Sequence, residues 1–369
     1  MGREWPLVSL FSGGGGLDYG LALAGFDTRL AVEIEPYAYR TLLACKELAR
    51  TLPNGHIYLS AATIHQGDVA KLSGPKARKL AGLARGEAAL LVGGPPCVTF
   101  SIAGRREGLT SETGMLYRHF VRMLRAFQPE AFIFENVRGL VSAVGIDGRR
   151  SAFEMILNDL DAAGYSVTWR VVDAADYGVP QHRHRVIILG RRGRTALAFP
   201  EPTHSDRKTE NEIHRKPWTT LRQALAGLPD AVPVGTEPRL RNHTAKRHSL
   251  LTQDSFRATP PGKRNETHKR DRLLWEFPAK TIRAQGKVKA DGSGQKNSSH
   301  QAIHPDEPRQ LTPRECARIQ TFPDWYPFPE NLVNAYRVIG DAVPSGLALA
   351  LGDSIAVQLG LRSEVAAVG

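Results

Sequence analysis

Residues 6–26, PLVSLFSGGGGLDYGLALAGF, set an apolar run against a run of four glycines and then a stretch of helical spacing. Pro6 to Phe11 reads as a buried strand, while Leu17, Leu21 and Ala24 share one face beyond the glycines, as in a helix packed on a sheet. A glycine-rich turn between strand and helix lets bare backbone approach a bound nucleotide at the strand's carboxyl end. The spacing departs from the GxGxxG fingerprint, and a tight turn with no ligand is the alternative reading. The next strand, Arg29 to Ile34, brings Glu33 and Glu35 to its end about 20 residues on, where a carboxylate can accept hydrogen bonds from ribose hydroxyls. No P-loop lysine follows the glycines, which points to an adenosine cofactor without a triphosphate.

Working outward, the same texture recurs. Ala89 to Gly94, Ala131 to Asn136, Ser166 to Val172 and Arg185 to Gly190 are further short apolar runs bounded by Gly, Pro or charge. Phe120, Met123, Leu124 and Phe127 form a helical stripe that stops before Pro129. Strands alternating with helices predict an α/β fold, a parallel sheet covered on both faces. After Phe199 the periodicity weakens, broken by RNHTAKRHS, TPPGKRNETHKR and KADGSGQKNSSH. Order returns after Leu311, and GLALALGDSIAVQL reads as an amphipathic or buried helix. The expected organisation is a first domain over residues 1–200, a loop-rich one over 201–330, and a segment 331–369 returning to the first.

The chain has 369 residues, 41% of them hydrophobic, enough for a large core. Its three cysteines, Cys45, Cys97 and Cys316, are too few and scattered for a disulfide framework, and the expected compartment is the cytoplasm. No secretory leader pattern opens the chain, and no apolar run reads as a membrane span, so no membrane partner is expected. The net charge is +12, and residues 201–309 hold 21 Lys and Arg against 13 Asp and Glu, a net of +8. That segment is the candidate face for a polyanion, the alternative being a solvated basic surface. Seven histidines fall in it, His300 and His304 at HxxxH spacing, but no cysteine pairs accompany them and no metal is expected.

GGPPC puts Cys97 just past a strand end, in the crevice where open α/β sheets bind ligands. A thiol there is a candidate nucleophile, and an inert core residue is the alternative. FIFENV delivers Glu135 to the same edge, as a general acid held protonated by burial or as a cap on the next helix or turn. In QHRHR, Gln181, Arg183 and Arg185 alternate into a strand and are expected to share one face, suited to phosphate and carbonyl oxygens, or to edge protection. Cys45 and Cys316, in helical apolar patterns, read as structural.

FSGGGG, VEIE, GDV at Gly67 to Val69, GGPPCVTFS, FENV, QHRHR, RQLTPRECARIQTFPD and IGDAVPSGLA occur in the order and approximate spacing of the motifs of DNA (cytosine-5) methyltransferases. The chain resembles that family, in its bacterial restriction-modification form, over nearly its whole length. The resemblance implies a Rossmann-like S-adenosylmethionine-dependent methyltransferase fold with a smaller target-recognition domain, acting on double-stranded DNA. A monomer is expected because a cleft around one flipped base needs no partner, and whether a separately encoded restriction endonuclease accompanies it is left open by the sequence. It implies that Phe11, Gly13, Gly15 and Pro96 cradle S-adenosylmethionine, that Glu33 takes the ribose, and that Ile34 packs on the adenine. It further implies that Asp68 and Val69 read the adenine edge and that Leu116, Asp341 and Val343 complete the pocket. Cys97 would then add to carbon 6 of a flipped-out cytosine, with Glu135 at ring nitrogen 3 and Arg185 and Arg183 on the carbonyl and nearby phosphates. Two positions depart from the family pattern. Val98 follows the cysteine where a polar residue is usual, and Asp341 follows Gly340 where asparagine is usual. A transfer-RNA methyltransferase sharing these motifs and a catalytically inactive DNA-binding scaffold are the rival readings.

Overall fold

A computed structural model describes residues 5–96, 115–143, 151–208, 214–284 and 301–363. The chain forms two compact units: residues 1–172, 184–201 and 348–369 make the first, and 173–183 and 202–347 the second. The expected boundary near 200 coincides with one edge of this division. Elsewhere the expectation is corrected: residues 331–347 belong to the second unit, as does the short excursion 173–183.

The first unit is a seven-stranded sheet with helices. In chain order its strands are β1 (Trp5–Leu10), β2 (Phe26–Glu33), β3 (Thr63–Gln66), β4 (Leu90–Gly93), β5 (Ala131–Val137), β6 (Tyr165–Asp173) and β7 (His184–Arg192). They lie in the order β3-β2-β1-β4-β5-β7-β6. β1 to β5 pair in parallel, but β7 runs antiparallel to β5, so the sheet is mixed rather than wholly parallel. The helices are α1 (Gly16–Leu23), α2 (Pro36–Leu48), α3 (Gly74–Ala81), α4 (Tyr117–Phe127) and α5 (Ala152–Asp161). The stripe on α4 is buried as expected, and Phe120 meets Phe132 and Phe134 of β5 edge-on. α1 is buried almost all round, from Gly16 to Ala22.

In the second unit, regular structure among the described residues comprises two-residue strand pairs, a 3-10 turn at Ala174–Tyr177 and the helices α6 (Leu221–Leu225), α7 (Leu250–Ala258), α8 (Pro313–Ile319) and α9 (Leu332–Asp341). α10 (Ser345–Gln358) follows, most of it in the first unit, where a Cβ on Gly352 would lie 2.7 Å from that of Ala24. Leu332–Gln358 is long and apolar enough to cross a membrane, but its apolar window is 67% buried inside the protein, as in a core helix.

Candidate active site

Backbone conformation shapes the first half of the site. Leaving β1, Phe11 takes φ +53°, a left-handed conformation that costs a bulky residue about 1–2 kcal/mol and tends to persist at functional sites. Gly13 at φ +56° and Gly15 at φ +83° make the same turn without a Cβ to strain. The loop is pinned to β2 by Ser12 N donating to Val32 O at 3.1 Å. Glu33, the last residue of β2, closes it: one carboxylate oxygen accepts from Gly13 N at 2.6 Å and the other from Glu35 N at 2.7 Å. Burial pushes the Glu33 carboxyl above its ordinary range, against the pull of those two N–H groups.

The loop borders open space. A Cβ built on Gly13 would meet nothing within 4 Å, and Ile34 beyond Glu33 is 56% exposed, unusual for an isoleucine at a buried strand's end. Following β3, the Asp68 carboxylate accepts from Ala70 N at 2.8 Å and caps the turn Val69–Lys71. Val69 is buried, and its carbonyl accepts from Arg122 Nη2 at 2.7 Å. Leu116 is half-buried at the start of α4.

The second half stands where β4 and β5 end. These strands pair Gly93 with Phe134, which puts Gly94 against Glu135. A Cβ on Gly94 would fall 2.6 Å from a Glu135 carboxylate oxygen, so only glycine leaves room for that carboxylate. Asn136 Nδ2 donates to Pro95 O at 3.1 Å, fixing the entry to the proline pair, of which Pro95 is buried and Pro96 exposed. Because β7 is antiparallel, its first residues lie beside the last of β5, with Arg185 opposite Val137. Arg185 Nε then reaches the other Glu135 oxygen at 2.8 Å, each side chain being only 13% exposed. A charge-assisted bond in a largely dry setting holds the carboxylate in one orientation. Cys97 and Val98, which follow Pro96, lie outside the described residues.

The family model for C-5 cytosine-specific DNA methylases matches residues 6–356. The chain belongs to that family. The methylase is 33% identical to the Type II methyltransferase M.SacI of Streptomyces achromogenes, over 98% of this chain and 95% of that one. It is 30% identical to M.XorII of Xanthomonas oryzae pv. oryzae, another Type II methyltransferase, over 97% and 86%. Among solved structures it resembles a putative DNA modification methyltransferase encoded within an Escherichia coli prophage, at TM-score 0.70, 24% identity and coverage of 97% and 100%. It also resembles the S. pombe Dnmt2 methyltransferase, at TM-score 0.59, 16% identity and coverage of 97% and 99%. The α/β fold is thus the Rossmann-like methyltransferase fold, and the protein is a DNA (cytosine-5) methyltransferase.

Within the methylase, QHRHR divides between the units, so its three alternating side chains do not line one strand face as expected. Gln181 and Arg183 fall in the second unit and are buried there; Arg185 starts β7 in the first. The Arg183 guanidinium donates to Ile282 O and Gly340 O, each at 2.8 Å. Gly340 is itself sterically required, since a Cβ there would fall 2.3 Å from Ala284 N. Asp341, the last residue of α9, is exposed, and Val343 is buried, both in the second unit.

RQLTPREC turns out to be a structural clamp. Arg309 grips Glu315 with two bonds of 2.8 and 2.9 Å, Glu315 and Thr312 form a capping box on α8, and buried Arg314 donates to the carbonyls of Arg241, Pro323 and Tyr326. Cys45 and Cys316 are buried, and burial pushes the Cys316 thiol well up. His304 Nδ1 accepts from the backbone N–H groups of Asp306 and Glu307. Among the described residues no group of three metal-ligating side chains gathers.

Two residues of the first unit were missed in the sequence. The glycine at 94 signals the carboxylate it admits, and Asp18, the only charge between Trp5 and Phe26, signals a buried acid under the loop.

Proposed function

We propose that this methylase transfers a methyl group from S-adenosylmethionine to carbon 5 of a flipped-out cytosine in a specific duplex sequence, through a covalent adduct on Cys97. The observation that carries the reading is the Glu135–Arg185 pair at the edge of the sheet where β4 delivers GGPPC. The cofactor fits the loop: Gly13 is bare and faces open space, Glu33 stands at the strand end, and Ile34 offers an exposed apolar surface for an adenine. Phe11, Gly15, Asp68, Val69, Pro96 and Leu116 border the same cradle in this reading.

When bound, S-adenosylmethionine supplies an electrophilic methyl group on a sulfonium. The chain does the rest. The Cys97 thiolate adds to carbon 6 of cytosine, and the electron pair of the ring double bond moves to carbon 5, with nitrogen 3 held by Glu135. Arg185 fixes Glu135 and offers its remaining N–H groups to the cytosine carbonyl. After carbon 5 is alkylated, it gives up its proton and the thiolate leaves, restoring the ring. Inside a stacked duplex the chemistry is blocked, so the base is turned out. The net +8 over residues 201–309 supports DNA as the partner of the second unit, with affinity from phosphate contacts. The Type II names of the relatives support a modification enzyme, and we read it as a cytoplasmic monomer.

Trapping on duplex DNA carrying 5-fluorocytosine tests this, because fluorine at carbon 5 blocks the final elimination. Wild type is expected to form an adduct stable to denaturation, and Cys97→Ala none. Equal behaviour of the two proteins would remove Cys97 from the reaction. Offering transfer RNA in a parallel methyl-transfer assay separates the two nucleic-acid substrates.

A further inference from the structure

Beneath the glycine loop lies a carboxyl group that the reaction does not use. Asp18, in the first turn of α1, is completely buried; one of its oxygens accepts from Ser9 Oγ at 2.9 Å and the other has no hydrogen-bond partner among the described residues. Ser9 Oγ is 2.8 Å from Ser12 Oγ, and Ser12 Oγ is 3.4 Å from Val32 O. Asp18 is thus one end of a hydrogen-bonded chain whose other end is the loop itself, between Phe11 and Gly13.

We propose that Asp18 is a positioning residue of the glycine loop, coupling the loop's hold on its cofactor to the charge on the buried carboxyl. The inference rests on reading that loop as the S-adenosylmethionine cradle. Ser9 and Ser12 have one hydroxyl proton each, so the chain has a direction. With Asp18 ionised, Ser9 donates to it and Ser12 donates to Ser9, leaving the Ser12 oxygen as an acceptor. With Asp18 protonated, the carboxyl donates to Ser9, Ser9 to Ser12, and Ser12 to Val32 O. The loop hydroxyl exchanges roles although no heavy atom needs to move.

The groups facing the carboxyl are Ser9 of β1, Thr28 of β2 and, through space, Glu33 at the end of β2; among the described residues no cation compensates it. Burial pushes Asp18 up to about 7, against the Ser9 hydrogen bond. Both directions of the chain are therefore populated near neutrality. S-adenosylmethionine carries a sulfonium, so the ionised carboxyl favours it, whereas S-adenosylhomocysteine has lost that charge and responds less.

The test measures S-adenosylmethionine binding to the DNA-free protein by calorimetry from about pH 6 to about pH 8.5, with thermal unfolding in the same buffers, spanning the titration. Wild-type affinity is expected to rise about fivefold or more across that range, S-adenosylhomocysteine affinity to rise less, and Asp18→Asn to bind with flat pH dependence. A group raised on folding stabilises below its unfolded value and loses that contribution as pH rises through its folded one. The melting temperature of Asp18→Asn relative to wild type should therefore climb through about pH 7. Should the asparagine variant fail to fold, Ser9→Ala decides, because it cuts the link to Ser12 while Asp18 still titrates; its affinity should depend on pH clearly less steeply than wild type's. Parallel pH profiles in wild type and variant overturn the coupling and leave the cradle standing. Absence of S-adenosylmethionine binding at every pH overturns both.

Discussion

Arg183 and Arg185 stand two residues apart in QHRHR, and the two units of the molecule use them differently. Arg185 pairs with a carboxylate at a strand end and gives one Nη to the His184 carbonyl; Arg183 is sealed in the second unit with its guanidinium on two backbone carbonyls. The difference extends to the whole of each unit. In the first, a regular sheet brings side chains to one edge, and bare glycines make room for them. The second has little regular structure, so its backbone carbonyls find donors in buried arginines: Arg183, Arg309 and Arg314. Arginines of the first unit such as Arg78 and Arg122 also meet backbone carbonyls, but there the sheet carries most of the backbone pairing, whereas in the second unit buried arginines take a larger share of it.

The largest effect is expected at the sheet edge. Glu135→Gln keeps the shape of the side chain but loses the charge facing Arg185 and the carboxylate proposed to hold cytosine nitrogen 3. Its kcat should fall about 10²- to 10⁴-fold while the fold survives, as read by single-turnover methyl transfer and far-ultraviolet circular dichroism. Gly94→Ala, which drives a methyl group into the same carboxylate, should lose activity in the same assay. Near-wild-type turnover in Glu135→Gln would break the claim that this edge carries the reaction.

Stability, not turnover, is the expected loss in the second unit. Arg309→Met strands Glu315, which is almost wholly inaccessible, and should cost about 3–5 kcal/mol in denaturant unfolding. Burial alone would raise the Glu315 carboxyl, but the Arg309 bonds win and hold it below its ordinary value. A group depressed on folding stabilises above its unfolded value and loses that contribution as pH falls through its folded one. Hydrogen exchange around α8 should therefore accelerate on acidification in wild type, and around α1, where Asp18 is raised, it should accelerate as pH rises through about 7. Opposite responses in the two regions, after correction for intrinsic exchange, sharpen the contrast; a common response erases it.

Arg183→Lys against Arg185→Lys is a smaller and more direct comparison. Lysine at 183 cannot reach both carbonyls, and one left unsatisfied costs about 1–3 kcal/mol, seen as a lower melting temperature with turnover per folded molecule kept. Lysine at 185 should leave the melting temperature nearly unchanged and lower kcat. If Arg183→Lys instead lowers kcat at full stability, Arg183 belongs with the reacting base as the family resemblance implies.

These cases also explain what the sequence could carry. Strands β1, β2, β4 and β5 and the stripe on α4 are legible because burial on a sheet imposes its own spacing. The direction of β7 is not, since an apolar run reads alike in either direction; the clue was that residues 174–183 are too few for a crossover helix. Glu33 and Glu135 are visible as acids ending apolar runs. The shared face expected of Gln181, Arg183 and Arg185 fails because alternation in QHRHR says nothing about the chain leaving one unit for the other between residues 183 and 184. Arg309 and Glu315 are six apart, a spacing that matches no local rule, and their pairing exists only in the folded second unit.

The least disruptive change tests the far side of the comparison, the part of the second unit that does not hold itself together. Leu250 and Leu251, in the first turn of α7 after the Ser249 cap, are 74% and 83% exposed, while only Phe256 anchors the helix. Side chains so exposed contribute little to the fold, so Leu250→Ser with Leu251→Ser should leave the melting temperature in place. Beside Lys246 and Arg247 in a basic segment, two projecting apolar groups suit contact with sugar faces or thymine methyls, or insertion at a base step. Affinity for the methylated duplex's unmodified counterpart should weaken about tenfold, or roughly 1.4 kcal/mol. The salt dependence separates this from a charge effect. Removing leucines releases no counterions and leaves the slope of log affinity against log salt unchanged, whereas Lys246→Gln should reduce it by about 1 if that lysine meets a phosphate. A drop in melting temperature with unaltered DNA affinity would return the two leucines to the structural side.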